Sequence, residues 1–244
     1  MIKALTQMIQ EARHGVFLGG AGVSTESDIP DFRSEGGLYS KLRERYEKPE
    51  DFLSYSFFIE NITEFYDIFR NQIMLPRLEP NRAHYALARM ERDGKLKAVI
   101  TQNTDGLHMK AGSRTVYELH GSSHRNPCMV CGKVYDREFV KYAPGPVPVC
   151  TRCGGVVRPG VTLFGEALPA GVLEKSVKAV KEADLFIVGG TSLVVYPAAG
   201  LIRRFSGRNL VIINREPTQF DDRASLVFRE SIGEVLSSAW PDKS

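Results

Sequence analysis

The sequence predicts a doubly wound α/β fold: a parallel sheet with helices on both faces and two inserted segments. Four short apolar runs carry that reading: Val16-Phe17-Leu18, Ala98-Val99-Ile100, Leu185-Phe186-Ile187-Val188 and Leu210-Val211-Ile212-Ile213. They lack the alternation of a half-exposed strand, so they suit strands covered on both faces. Helical patterns lie between them, as at 84–93 and 170–182. Strand alternating with helix is the signature of this class. Each run also ends in a glycine-rich or polar loop, and in open α/β sheets ligands bind outside the carboxyl ends of the strands.

From the amino terminus, residues 1–12 place Ile2, Leu5, Met8 and Ile9 at helical spacing and predict an amphipathic helix. The first strand runs into Gly19-Gly20-Ala21-Gly22. Residues 35–78 hold Phe52, Tyr55, Phe57, Phe58, Phe65, Tyr66 and Phe69 and read as a helical insert. The second strand ends in Thr101-Gln102-Asn103-Thr104-Asp105. Residues 122–159 contain all four cysteines and read as a second insert. The third strand ends in Gly189-Gly190-Thr191-Ser192 and the fourth in Asn214-Arg215-Glu216. A nucleotide-binding domain of residues 1–34, 79–121 and 160–244 is therefore expected, with a small domain of 35–78 and 122–159. Four candidate loops should converge on one edge of the sheet.

Length and composition set limits. A chain of 244 residues buries a sizeable core without disulfides. A formal charge of +3 makes no case for direct nucleic-acid binding, and no block of like charge forms a binding tail. The first residues lack the continuous apolar stretch of a signal peptide. No run of about 18 apolar residues exists to span a membrane. A cytoplasmic chain is the expectation.

Cys128-x-x-Cys131 and Cys150-x-x-Cys153 form two knuckles whose separation matches a four-thiolate zinc site. Gly132, Gly154 and Gly155 follow them, where tight turns are needed. Two disulfides are the competing reading, and a cytosolic setting with no other cysteine argues against them. Four protein ligands fill a tetrahedral shell, so the zinc should be structural. That sets aside zinc hydrolase chemistry and weakens a zinc-dependent dehydrogenase.

The loops carry the remaining chemistry. Gly20-Ala21-Gly22 after a strand suits backbone approach to a pyrophosphate and the opening of a helix. The third glycine of the dinucleotide fingerprint would fall at Thr25, so that signal is partial. Ser27-Asp28-Ile29-Pro30-Asp31-Phe32-Arg33 reads as a loop able to fold over a nucleotide, with Phe32 over a ring and Arg33 toward ribose or phosphate. A solvated loop is the competing reading. Gln102, Asn103 and Asp105 offer amide and carboxylate groups at a strand end. A lone histidine is more often structural, but acidic and amide neighbours make His120 a candidate base.

Several stretches together resemble the sirtuin family in its compact prokaryotic form. They are Gly20-Ala21-Gly22-Val23-Ser24, Ile29-Pro30-Asp31-Phe32-Arg33, Thr101-Gln102-Asn103-x-Asp105-Gly106-Leu107-His108 and His120-Gly121-Ser122. The paired knuckles, Arg158-Pro159-x-Val161 with Phe164-Gly165-Glu166, and Gly190-Thr191-Ser192 complete the set. The motifs run in the family's order over nearly the whole chain. The resemblance implies a Rossmann-like domain, a smaller zinc-and-helix domain, and NAD-dependent deacylation of protein lysines. Acetyl removal would yield nicotinamide, O-acetyl-ADP-ribose and deacetylated lysine, with NAD and one structural zinc ion as cofactors.

The same resemblance implies roles. Gly20, Ala21 and Gly22 would meet the NAD pyrophosphate, and the rest of the loop would be mobile. Ile29 and Asp31 would hold the nicotinamide carboxamide, and Phe32 would shield the sugar carbon after nicotinamide leaves. His120 would act as general base on a ribose hydroxyl, a task suited to a group titrating near neutrality. Asn103 would position ribose and an ordered water, while Asp105 and Gln102 orient the cofactor. Ser24 and Arg33 would assist at ribose and phosphates. Gly190, Thr191, Ser192, Asn214, Arg215, Glu216 and Ile232 would line the adenosine half. Val161, Phe164, Gly165 and Glu166 would border the lysine channel beside an extended peptide, with Tyr66 contributing from the helical insert. Sirtuins that prefer acidic acyl groups carry a Tyr-x-x-Arg pair there. This chain has Phe69 at that spacing after Tyr66, and Arg70 one place late, so a neutral acyl group is expected.

Three positions depart from the family pattern: Asp28 for a common glycine, Thr104 for Ile or Val, and Thr162 for a frequent Val. Asp28 bears on the loop, because glycine permits backbone angles that aspartate tolerates less well. Competing activities are mono-ADP-ribosyl transfer, removal of longer neutral acyl groups, and NAD sensing without turnover. Acetylated proteins or peptides are the expected partners of a monomeric chain, with no membrane or nucleic-acid contact.

Overall fold

The computed structural model describes residues 1–33, 36–43, 45–75 and 78–242; the expected domain boundary at residues 34 and 35 lies outside them. In chain order the elements are α1 (Ile2–Glu11), β1 (Gly15–Gly19), α2 (Leu38–Leu42), α3 (Pro49–Phe52), α4 (Tyr55–Glu60), α5 (Ile62–Ile68), α6 (Arg82–Arg92), β2 (Leu96–Thr101), α7 (Leu107–Lys110), β3 (Val116–Glu118), β4 (Asn126–Pro127), β5 (Val134–Tyr135), α8 (Arg137–Tyr142), α9 (Ala170–Glu182), β6 (Leu185–Gly189), β7 (Asn209–Ile213), β8 (Leu226–Phe228) and α10 (Ile232–Ala239). No helix among the described residues is long and apolar enough to cross a membrane.

Six strands pair in parallel in the order β3-β2-β1-β6-β7-β8. Every residue of β1 and β6 is buried, as their unbroken apolar runs require. Side chains alternate between two cores. Phe17 packs on one face with Leu5 and Ile9 of α1, Leu87 and Met90 of α6, and Val235 and Leu236 of α10. Val16 and Leu18 pack on the other with Val180 of α9 and with Ala198, Leu201 and Ile202. The chain leaves β1 toward β2 and β3 on one side and later returns to build β6, β7 and β8 on the other. The β1/β6 junction is thus the switch point where such sheets open a crevice.

The four expected strands are present. The edge strands β3 and β8 are additional, and at three residues each they carry no period of their own. A second difference follows β1. The glycine turn opens no α-helix but two short 3-10 turns, Ala21–Val23 and Thr25–Ser27. They end at Asp28, which adopts the left-handed conformation with φ 60 and ψ 22. Aspartate tolerates that region better than most residues, which reconciles it with a position where glycine is common. Asp28→Gly is therefore expected to keep the fold, whereas a β-branched Asp28→Val should lose about 1–2 kcal/mol, read from thermal unfolding midpoints.

The helical insert and the cysteine-bearing insert share a third core. Phe52, Phe58, Phe65, Tyr66 and Phe69 bury their rings against one another, with centroids of 5.3 Å for Phe52–Phe65 and 5.0 Å for Phe58–Phe65. Cys128, Cys150 and Val157 cover that cluster from the other insert. Neither segment has enough apolar surface to fold alone. The loop at 161–166 is tied to this lobe where the Tyr55 amide donates to the Phe164 carbonyl at 3.0 Å and the Phe164 amide to the Leu53 carbonyl at 2.8 Å.

Candidate active site and metal centre

The site lies at the carboxyl ends of β1, β2 and β6. The Gly20 amide donates to the Gly189 carbonyl at 3.1 Å and the Gly22 amide to the Gly190 carbonyl at 2.9 Å. Gly190 has φ 61, and a Cβ there would lie 2.4 Å from the Val23 nitrogen. A Cβ on Gly22 would meet the Gly190 Cα at 2.7 Å. Two backbones therefore touch where side chains would block them. This explains why Thr25 suffices in place of a third fingerprint glycine: the chain needs no close helix–strand packing at that point.

Side chains from the second strand's loop close on this turn. The Ser24 hydroxyl donates to Asp105 Oδ2 at 2.7 Å. Asn103 Nδ2 donates to Ser24 Oγ at 3.0 Å and to the Gly20 carbonyl at 3.1 Å. The Asp105 carboxylate also accepts the Leu107 amide at 2.9 Å. Gln102 Nε2 donates to Thr191 Oγ1 at 3.1 Å, linking β2 to the loop after β6.

His120 Nδ1 lies 2.9 Å from the Gln102 carbonyl oxygen. A carbonyl only accepts, so Nδ1 carries the proton and Nε2 keeps its lone pair. Burial pushes the His120 pKa below its ordinary value, opposed by the hydrogen bond to Gln102. At neutral pH this imidazole is a base with a free nitrogen.

Other expected residues are placed differently. Phe32 is exposed and packs on Tyr39 with centroids 5.6 Å apart, and the Arg33 guanidinium lies 5.5 Å from the same ring. Asn214 spends its amide on the Glu216 carbonyl at 2.8 Å, and Arg215 and Glu216 are exposed. Ser192 is exposed as well. Ile232 is 5% exposed and packs beneath Gly189, where a Cβ would meet its Cδ1 at 2.3 Å. It supports the floor of the crevice.

Two residues expected on the substrate side are engaged within the protein. Tyr66 is 0% exposed and its hydroxyl donates to the Val157 carbonyl, so it sits in the shared core. Arg70 is likewise committed, to the Val140 and Gly145 carbonyls at 2.9 and 2.8 Å. Glu166 pairs with Arg158 through two bonds of 2.7 and 2.8 Å and accepts the Leu163 amide at 2.8 Å. Burial works against this carboxylate, yet the Arg158 and Leu163 hydrogen bonds hold its pKa below the usual range. Arg158, held above its ordinary value chiefly by Glu166, also donates to the Val161 carbonyl at 3.2 Å. The pair braces the loop; the exposed Phe164 and Gly165 and the half-buried Val161 remain as its outer face.

The four cysteine sulfurs lie within 4.8 Å of one another. Cys128 and Cys153 approach to 3.5 Å, and Cys131 and Cys150 to 3.6 Å. All four are free thiols, at separations no disulfide has. Four soft donors around one point fit a tetrahedral zinc ion and leave no fifth protein group to fill.

Asn81, which the sequence reading did not single out, donates its side-chain Nδ2 to the Val23 carbonyl at 2.8 Å and to Ser27 Oγ at 3.0 Å. Its signal is Glu79-Pro80-Asn81-Arg82-Ala83-His84, a helix start with an asparagine cap.

The comparisons agree with this architecture. The Sir2 family model matches residues 20–197. An "NAD-dependent protein deacetylase" of Clostridium acetobutylicum is 52% identical over 237 residues, covering 97% of each chain. The solved structure "Sir2-p53 peptide-NAD+" is 40% identical with a TM-score of 0.84, over 97% of this chain and 95% of that one. "Sir2 bound to acetylated peptide" is 38% identical with a TM-score of 0.84, over the same shares. With the family model spanning residues 20–197 and relatives matching end to end, this chain belongs to the Sir2 family.

Proposed function

We propose that the chain is an NAD-dependent protein lysine deacetylase acting on acetylated proteins or peptides. The observation that carries this reading is the convergence of Ser24, Asn103, Asp105 and His120 beside the glycine-walled crevice at the β1/β6 switch point. The relatives named above support the reaction class.

In this reading the Gly20, Ala21, Gly22 turn, packed without intervening side chains on Gly190, forms the surface against which a pyrophosphate settles. Ser24, Asn103 and Asp105 orient the ribose, and Gln102 ties their loop to Thr191. NAD, when bound, would supply the sugar carbon that takes the acyl oxygen as the bond to nicotinamide breaks and nicotinamide leaves. His120 Nε2 takes the proton from a ribose hydroxyl, and its Nδ1–H on the Gln102 carbonyl holds the ring in place. Ile29, Asp31, Phe32 and Arg33 close over the nicotinamide half and exclude water. Thr191, Ser192, Asn214, Arg215 and Glu216 flank the adenosine half. The peptide lies as an extended strand against Val161, Phe164 and Gly165. Cys128, Cys131, Cys150 and Cys153 hold a structural zinc that takes no part in a step.

An acetyl-lysine peptide incubated with and without NAD tests the reading. One nicotinamide and one O-acetyl-ADP-ribose for each acetyl lost is the expected result. ADP-ribose attached to protein without deacetylation would favour the transferase, and no NAD cleavage with any acyl peptide would overturn the proposal.

The Arg158–Glu166 brace adds a narrower expectation. Glu166→Gln should raise the peptide KM roughly tenfold and leave the NAD KM unchanged, because it loosens only the channel loop. Steady-state kinetics with each substrate varied in turn will show whether the effect divides this way.

A further inference from the structure

The cofactor loop is anchored to two different parts of the molecule. Its first half, from Gly20 to Asp28, is bolted to the sheet domain. Beyond the Gly189 and Gly190 contacts, Glu26 Oε1 accepts the Gly233 amide of α10 at 2.8 Å. Asn81 Nδ2 donates to the Val23 carbonyl at 2.8 Å and to Ser27 Oγ at 3.0 Å. Past the left-handed Asp28 the Ile29 amide still returns to the Ser24 carbonyl at 3.3 Å, and from Asp31 the backbone bonds go to α2: the Asp31 carbonyl accepts the Leu38 amide at 2.8 Å and the Phe32 carbonyl the Tyr39 amide at 2.9 Å.

We propose that Asn81 is a positioning residue for NAD binding: its side-chain amide clamps Val23 and Ser27 so that Ser24 arrives pre-aimed at Asp105. This rests on the deacetylase reading. Asn81 caps α6, with Oδ1 accepting the Ala83 amide at 2.9 Å, and its backbone N–H donates to His84 Nδ1 at 3.2 Å. Those bonds settle which end of the amide is nitrogen, since the Val23 carbonyl can only accept. Asn81 is 9% exposed and His84 0% exposed, the latter packed on His108 with centroids 4.7 Å apart.

The residue type is the telling point. Serine, threonine and aspartate cap a helix about as well as asparagine. Only asparagine accepts for the cap while donating twice across the loop. The Val23 carbonyl belongs to the peptide unit that leads into Ser24, and Ser24 connects to Asp105 and Asn103. A clamp at that peptide orders the turn before ligand arrives, so binding does not bear the ordering cost.

Asn81→Ser and Asn81→Asp separate clamp from cap. Both keep an acceptor for Ala83. Serine is too short to span Val23 and Ser27, and a carboxylate cannot donate to the Val23 carbonyl. NAD affinity is measured by calorimetry without peptide, alongside amide exchange over residues 22–27 and thermal unfolding. The expected result is NAD binding weakened about tenfold in each variant, faster exchange across the turn, and a melting temperature lowered by only about 2–4 °C. Wild-type NAD affinity and wild-type exchange in both variants would overturn the proposal. If the unaltered protein failed to bind NAD, the deacetylase reading would fall, and exchange over residues 22–27 would still decide whether Asn81 is the clamp.

Discussion

Stripping zinc from the protein, or replacing Cys150 with serine, is expected to unfold the small domain and abolish NAD-dependent deacetylation. The cysteine-bearing insert has little regular structure of its own beyond the short helix α8, and it leans on the helical insert through Tyr66 and Arg70. Its sheet is a pair of two-residue strands, β4 and β5. Each knuckle is closed by a pair of backbone bonds: the Gly132 amide to the Cys128 carbonyl at 3.0 Å with the Cys128 amide to the Lys133 carbonyl at 2.8 Å, and the Gly154 amide to the Cys150 carbonyl at 2.9 Å with the Cys150 amide to the Gly155 carbonyl at 2.7 Å. Structural zinc contributes about 10–16 kcal/mol in isolated zinc-finger peptides, far more than such a hairpin. Cys128 and Cys150 also cover the aromatic cluster of the helical insert, so losing the metal should expose Phe58 and Phe65. The sheet domain has its own two cores and should stay folded. Metal analysis should find one zinc per chain, and chelation should remove activity and part of the tertiary signal together. Full activity in metal-free protein would refute the structural assignment.

Replacing His120 with alanine is expected to lower the deacetylation rate by about 10²- to 10⁴-fold, the usual contribution of a positioned general base. NAD binding should survive, because Ser24, Asn103 and Asp105 keep their mutual bonds. The pH profile supplies the sharper test. Burial lowers the His120 pKa, so the neutral base persists below the ordinary value of 6.5. Activity should therefore fall only as pH drops through that lowered value, with the acid limb centred below 6.5. Stability must be followed in parallel. Burial also pushes His84 down to about 4 and His108 to about 3. The unfolded chain takes up those protons near pH 6.5, so the fold loses stability progressively from there toward pH 3. An acid limb centred above 6.5, measured where the protein is folded, would contradict the assignment of His120 as base.

Much of this molecule was legible in its residues. The strands β1, β2, β6 and β7 announced themselves as continuous apolar runs because both their faces are covered. The metal centre was legible because both knuckles are local and thiols at that spacing favour few alternatives. The candidate base His120 and the Gln102-Asn103-Asp105 loop were found through motif order along the chain, and their mutual geometry followed from the parallel sheet.

The remainder depended on partners far away in the chain. The strands β3 and β8 exist because β2 and β7 offer open edges to pair with, and three residues have no pattern to read. The expected helix after Gly22 gave way to 3-10 turns because Gly190 and Asn81 hold the backbone there. Glu166 pairs with Arg158, and Tyr66 reaches Val157 across the two inserts. Residue type and local spacing by themselves determined the fold class, the zinc ligands and the chemistry available at the strand ends. Only the tertiary structure decided which polar group meets which, because a buried donor takes the acceptor that packing brings within about 3 Å, whatever their separation in sequence.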